Sequence, residues 1–133
     1  MTGTPGELSA ALSNAIVALF AEYTGRGATQ SRTYVHENLI VTVLHDSMTK
    51  GERSLVRDGK EEAVLAIRRS YQESMRAELI EIVERLTGRT VSAFMSSNHV
   101  NPDVAIESFV LELLDAPNDN QPDWNCLGST ESR

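Results

Sequence analysis

Read from the amino terminus, the spacing of apolar positions changes several times, and each change marks an element. Leu8, Leu12, Ala15, Ile16, Leu19, Phe20 and Tyr23 recur at intervals of three and four, which predicts an amphipathic helix with one buried face. Thr4-Pro5-Gly6-Glu7 supplies a hydroxyl N-cap, a proline in the first turn and a glutamate three residues on, so the helix is expected to start there. Gly25 is placed to stop it.

Beyond Gly25-Arg26-Gly27 the pattern turns β-branched. Thr33 to His36 and Leu39 to His45 flank a polar Glu37-Asn38 break and read as a hairpin. Leu39 to Leu44 is almost continuously apolar, the composition of a central strand or one covered on both faces. A second capping-box pattern, Thr49-Lys50-Gly51-Glu52, opens a short helical turn that closes at Asp58-Gly59. From Lys60 to Thr87 the positions Val64, Ile67, Tyr71, Met75, Leu79, Ile82 and Leu86 again step by three or four, and Gly88 ends the run. A helix of that length extends about 40 Å at 1.5 Å per residue, enough to cross a four-stranded sheet.

Glu61 and Glu62 at its start, Arg85 near its end and the Glu81/Arg85 spacing all support this helix electrostatically. Arg68, Arg69 and Arg76 form a short basic stripe diluted by Glu73, Glu78, Glu81 and Glu84, so a solvated face is expected for them. Val91 to Met95 and Val104 to Leu113 are the last two strands, with Phe109, Leu111 and Leu113 on one face and Ile106 and Val110 on the other. The polar stretch Ser96 to Asp103 between them reads as a loop. The order is α-β-β-α-α-β-β. It predicts a two-layer α+β domain, an antiparallel four-stranded sheet covered by the first and the long helices.

The chain has 133 residues, enough for one core without covalent staples, and residues 1–114 are expected to be that single domain. Asp115 to Arg133 loses the apolar periodicity and reads as a flexible acidic tail. No apolar run approaches the roughly 20 residues that span a bilayer, and no signal-peptide pattern opens the chain, so a cytoplasmic protein is expected. The lone Cys126 allows no intrachain disulfide. Net charge is −7, of which the tail supplies −3, a balance that disfavours nucleic acid because phosphate binding needs a lysine and arginine surplus on one face.

Five separated motifs, Gly25-Arg26-Gly27-Ala28-Thr29, Arg32 to His36, Leu44 to Glu52, Ser97 to Ala105 and Phe109 to Glu112, resemble the MpsC family. The likeness runs from about Glu7 to Glu112 and leaves the tail outside. What it implies is an accessory role near a sodium-translocating, membrane-potential-generating system linked to inorganic-carbon supply. The resemblance supplies no catalytic residues.

The residues offer some chemistry of their own. His99 and Asp103 flank Pro102 and are close enough in sequence for imidazole and carboxylate to meet, as a general base or part of a ligand site. The same segment also reads as a hairpin turn in which Asn98 and Asp103 bond backbone amides. Arg26 and Arg32 are the basic residues best placed for an anion, although Gly25-Arg26-Gly27 follows a helix and so fits a C-cap and turn. His36, His45 and His99 have no metal-ligand spacing, and no serine lies in a nucleophile motif, so neither a metal, a cofactor nor a catalytic residue is assigned.

The expectation is a non-catalytic protein that acts on a protein partner, which a membrane transport complex would provide, with a homodimer suggested by the apolar second strand and the long helix. The rival from another class is a small-anion or small-ligand module, or an enzyme, built on Asn98, His99, Asp103, Arg26 and Arg32. A KH-like RNA-binding module is a remote third, disfavoured by charge.

Overall fold

A computed structural model of the chain describes residues 3–114. The acidic tail and Cys126 lie outside the described residues. Three helices and four strands follow in the expected order: α1 (Pro5–Thr24), β1 (Gln30–His36), β2 (Leu39–His45), α2 (Lys50–Arg57), α3 (Glu61–Thr87), β3 (Val91–His99) and β4 (Val104–Leu111). All strand pairs are antiparallel, in the spatial order β1-β2-β4-β3. The two hairpins therefore sit side by side, and β2 and β4 are central.

Local sequence signals set the ends. Thr4 and Thr49 each accept a bond from the backbone amide three residues on, and Glu7 and Glu52 reach back to the cap amides, which completes both capping boxes. Gly25 and Gly88 close α1 and α3 at φ of 82° and 71°, a region that only glycine enters without cost. Glu81 and Arg85 form the expected ion pair at 3.3 Å.

The core lies between the helices and one face of the sheet. Leu12, Ile16, Met75, Leu79 and Val83 from the helices meet Ile40, Leu44, Phe109 and Leu111 from the sheet, all buried. Phe94 and Phe109 pack with ring centroids 5.1 Å apart. A smaller cluster of Met48, Val64 and Val100 sits where α2 meets the start of α3.

Three expectations need correction. Ser96 to His99 belong to β3, so the polar loop shrinks to a turn at Val100–Asp103; four polar residues hide a strand because the sheet alternates faces and one of those faces is polar even inside. β4 ends at Leu111, and Leu113 is exposed. On α3 the buried stripe runs Val64, Arg68, Gln72, Met75, Leu79, Ile82 and Val83, while Ile67 is exposed. Arg68 is thus interior, not part of a solvated basic face, because a partner for every guanidinium nitrogen awaits it there.

Candidate functional site

The alternation of β2 and β4 that buries Ile40, Leu44, Ala105 and Phe109 also buries Thr42 and Glu107, which are directly paired across the two strands. Thr42 pairs on its other side with Thr33, and Glu107 with Ser96. One register row of the sheet is therefore polar from edge to edge, Thr33, Thr42, Glu107 and Ser96, under two helices. Burying such a row is unfavourable unless each group finds a partner.

The partners are present. Ser13 of α1 bonds Thr33 at 2.8 Å and Thr33 bonds Thr42 at 2.8 Å, which secures the α1 side. On the α3 side Glu107, fully buried, accepts a bond from the Gln72 amide at 2.7 Å and a short one from the Ser96 hydroxyl. Desolvation dominates its titration and pushes the Glu107 carboxyl up to about 7, against the opposing help of Ser96, Gln72 and the charge of Arg68.

From Glu107 the network continues one turn along α3. Gln72 and Asn98 exchange bonds, Asn98 Nδ2 to Gln72 Oε1 at 2.7 Å and Gln72 Nε2 to Asn98 Oδ1 at 3.2 Å. Arg68 Nε donates to the same Asn98 Oδ1 at 3.1 Å, Nη2 to Ser47 Oγ at 2.7 Å and Nη1 to Glu52 at 3.2 Å. A guanidinium only donates, so Asn98 must turn its oxygen to Arg68 and its amide nitrogen to Gln72. That leaves Gln72 Nε2 for Glu107, and the direction of every bond follows from the arginine. Glu52 serves twice, as the capping glutamate of α2 and as the ion-pair partner of Arg68, with both residues about 5% exposed.

A cleft of about 120 Å³ between α3 and β3 reaches this network from outside. Gln72 and Ser96, the two donors to Glu107, form part of its lining, with Arg69, Glu73, Arg76 and Phe94. The Arg76 guanidinium carbon lies 5.3 Å from the centre of the Phe94 ring, a cation-π arrangement at this opening.

The five residues singled out from the sequence are distributed over three places. Asn98 is inside the network. Asp103 accepts from the backbone amide of Met48 at 2.9 Å, while exposed His99 has Nδ1 2.8 Å from the Pro102 carbonyl, so imidazole and carboxylate turn to different partners. Arg26 reaches the Asp46 carboxylate at 3.0 Å, and the backbone amide of Asp46 donates to the Asp103 carbonyl at 3.0 Å, so Arg26 and the β3–β4 turn share one partner residue. The Arg26 guanidinium, then the Thr29 hydroxyl, hold the Asp46 carboxyl below the usual carboxylate range. Arg32 stands apart on the other face of the sheet, in a trough with Thr29, Tyr34, Val43 and His45.

Sequence reasoning missed Glu107, Ser96, Gln72 and Arg68. The available signal was Glu107 itself, a carboxylate at a position whose alternation with Ala105, Phe109 and Leu111 points inward.

That inward face is half of the sheet. Its reverse carries Tyr34, Leu39, Val41, Val43, Met95, Ile106 and Val110, and no described element covers it; Tyr34 and Met95 are 55% and 51% exposed. The described residues thus form a two-layer α+β domain with an internally bonded polar row and one open, largely apolar sheet face. A model of one family matches residues 4–113, described as the Na+-translocating membrane potential-generating system (MpsC), and the chain belongs to the MpsC family. Family membership places it in the setting of a sodium-linked membrane-potential system. No described helix is long and apolar enough to cross a membrane. No curated protein and no solved structure matches the chain.

Proposed function

We propose that the protein is a non-catalytic accessory or regulatory component of such a system, held at the cytoplasmic side of the membrane through a protein partner. The observation that carries this reading is the open sheet face. Water covers a surface on which Tyr34, Val41, Val43, Met95 and Ile106 are neighbours, and burying such a patch against a partner contributes about 25 cal/mol per Å² of apolar area before the costs of association. The polar network supports the same reading, because its groups are engaged in fastening α2 and α3 to the sheet. A homodimer is part of this proposal.

The test is genetic and biochemical. Deleting the gene should change the sodium dependence of membrane potential, read with a voltage-sensitive dye, and the full-length chain should restore it. Ile106→Lys, which places a charge on the open face without touching the core, should restore it poorly and should lose co-sedimentation with membranes. An unchanged potential in the deletion strain sinks the proposal; full rescue by Ile106→Lys removes the open face from it.

A further inference from the structure

We infer that the outer edge of β1 is the homodimer interface, formed when β1 of a second copy adds antiparallel about Thr33 and sets Arg32 of each chain against Tyr34 of the other. This rests on the homodimer part of the reading above and specifies its geometry.

The free edge follows from the hydrogen-bond phase of the sheet. Leu111 N donates to Asn38 O at 2.8 Å and Asp46 N to Asp103 O at 3.0 Å, so even-numbered residues of β2 point their backbone groups at β4. Odd-numbered ones must then point at β1, where their partners are Gln30, Arg32, Tyr34 and His36. Ser31, Thr33 and Val35 consequently aim their N–H and C=O groups away from the sheet. An edge of this kind is normally blunted by a bulge, a proline or an inward charge. β3, the other edge, has an irregularity between Val91 and Ala93; β1 has none of the three within Gln30–His36, and its one charged side chain, Arg32, is used by the pairing itself.

The edge opens on a trough, with Thr33 itself 5% exposed in the single chain. This trough, of about 450 Å³, runs between α1 and the edge, walled on the helix side by the small residues Ser9, Ala10, Ser13 and Asn14. An added strand lies about 4.8 Å from its neighbour, which keeps the incoming chain beside α1 and not beneath it.

Side chains choose the register. Only pairings that put Ser31, Thr33 and Val35 in hydrogen-bonded positions use the free groups. Centred on Arg32, such a pairing opposes two guanidinium groups; centred on Tyr34, it sets Arg32 against His36, which loses the contact when protonated. Centred on Thr33, it opposes Arg32 and Tyr34 twice, at a non-hydrogen-bonded site where side chains are closest, and closes about six backbone bonds, two for each of three pairs. No carboxylate lies between Thr29 and His36 to oppose the association of two acidic chains. The open faces of both copies then join into one eight-stranded surface, available to the partner.

The test uses the full chain. Light scattering at micromolar concentration should give about twice 14.6 kDa. Tyr34→Lys should raise the dimer dissociation constant about tenfold or more, since it sets lysine against arginine at two sites, whereas Met95→Lys, on the same face at the far edge, should leave it unchanged. In a Cys126→Ser background, Gln30→Cys combined with His36→Cys, the next opposed pair of the same register, should oxidise to a covalent dimer, because opposed residues at such a site have Cα atoms about 4.5 Å apart, within disulfide range; either cysteine alone should not. A mass of one chain overturns the homodimer. A dimer that fails to cross-link in the double variant, cross-links through a single cysteine, or dissociates with Met95→Lys overturns this interface while leaving the wider proposal standing.

Discussion

Replacing Glu107 by glutamine tests whether the buried row works as the geometry implies. The carboxyl ordinarily titrates at 4.5 and is raised to about 7 in the fold. A folded-state value above the unfolded one means that the native chain keeps a proton the unfolded chain releases, so this contribution to stability is fully present below about 4.5, declines as pH climbs, and is gone above about 7. The span of two and a half units corresponds to on the order of 3 kcal/mol at about 1.4 kcal/mol per unit. Glutamine has the shape of the protonated acid, and its amide can donate to Ser96 while its carbonyl accepts from Gln72, so Glu107→Gln retains the network and removes the titration. Urea unfolding of both proteins at a series of pH values from 4.5 to 8.5, at fixed ionic strength, isolates the residue, since all other titrating groups cancel in the difference. The wild type should lose on the order of 3 kcal/mol relative to the variant across that window, and the variant should be the more stable at pH 8. Parallel curves would show that Glu107 is either solvated or already neutralised by a partner, and would refute the reasoning.

Arg68→Ala should destabilise the fold by about 3–5 kcal/mol, because it leaves Glu52 buried with its charge uncompensated; Glu52→Leu combined with Arg68→Met should recover most of that loss in the same urea assay, and equal deficits in both proteins would contradict the ion-pair account. Gly27→Ala would put a Cβ 2.8 Å from Val17 Cγ1 and 3.3 Å from the Val17 carbonyl, so a loss of about 1–3 kcal/mol in thermal unfolding is expected, and a neutral result would mean that α1 shifts freely on the sheet. Thr49→Ala should cost about 1 kcal/mol by releasing the cap of α2, measured by urea denaturation, and Thr49→Ser should restore it.

The sequence determined the elements of this protein and the fold class they compose. Capping boxes at Thr4 and Thr49, stops at Gly25 and Gly88 and the switch from helical to strand spacing are local, so they can be read without knowing what lies across the core. The motifs that resemble MpsC were legible for the same reason. What tertiary structure alone decided is the site. Arg68 looked solvated and Ile67 buried because one turn of helix allows either face inward, and the choice was made by Glu52 of α2, Asn98 of β3 and Ser47 of the loop before α2. Glu107 acquires its proton affinity from the helices that cover it, and Ser31, Thr33 and Val35 have free backbone groups only because β2 takes its partners in a fixed phase. Burial and strand pairing are relations between distant segments, and a one-dimensional pattern records each segment's preference without recording which partner satisfies it.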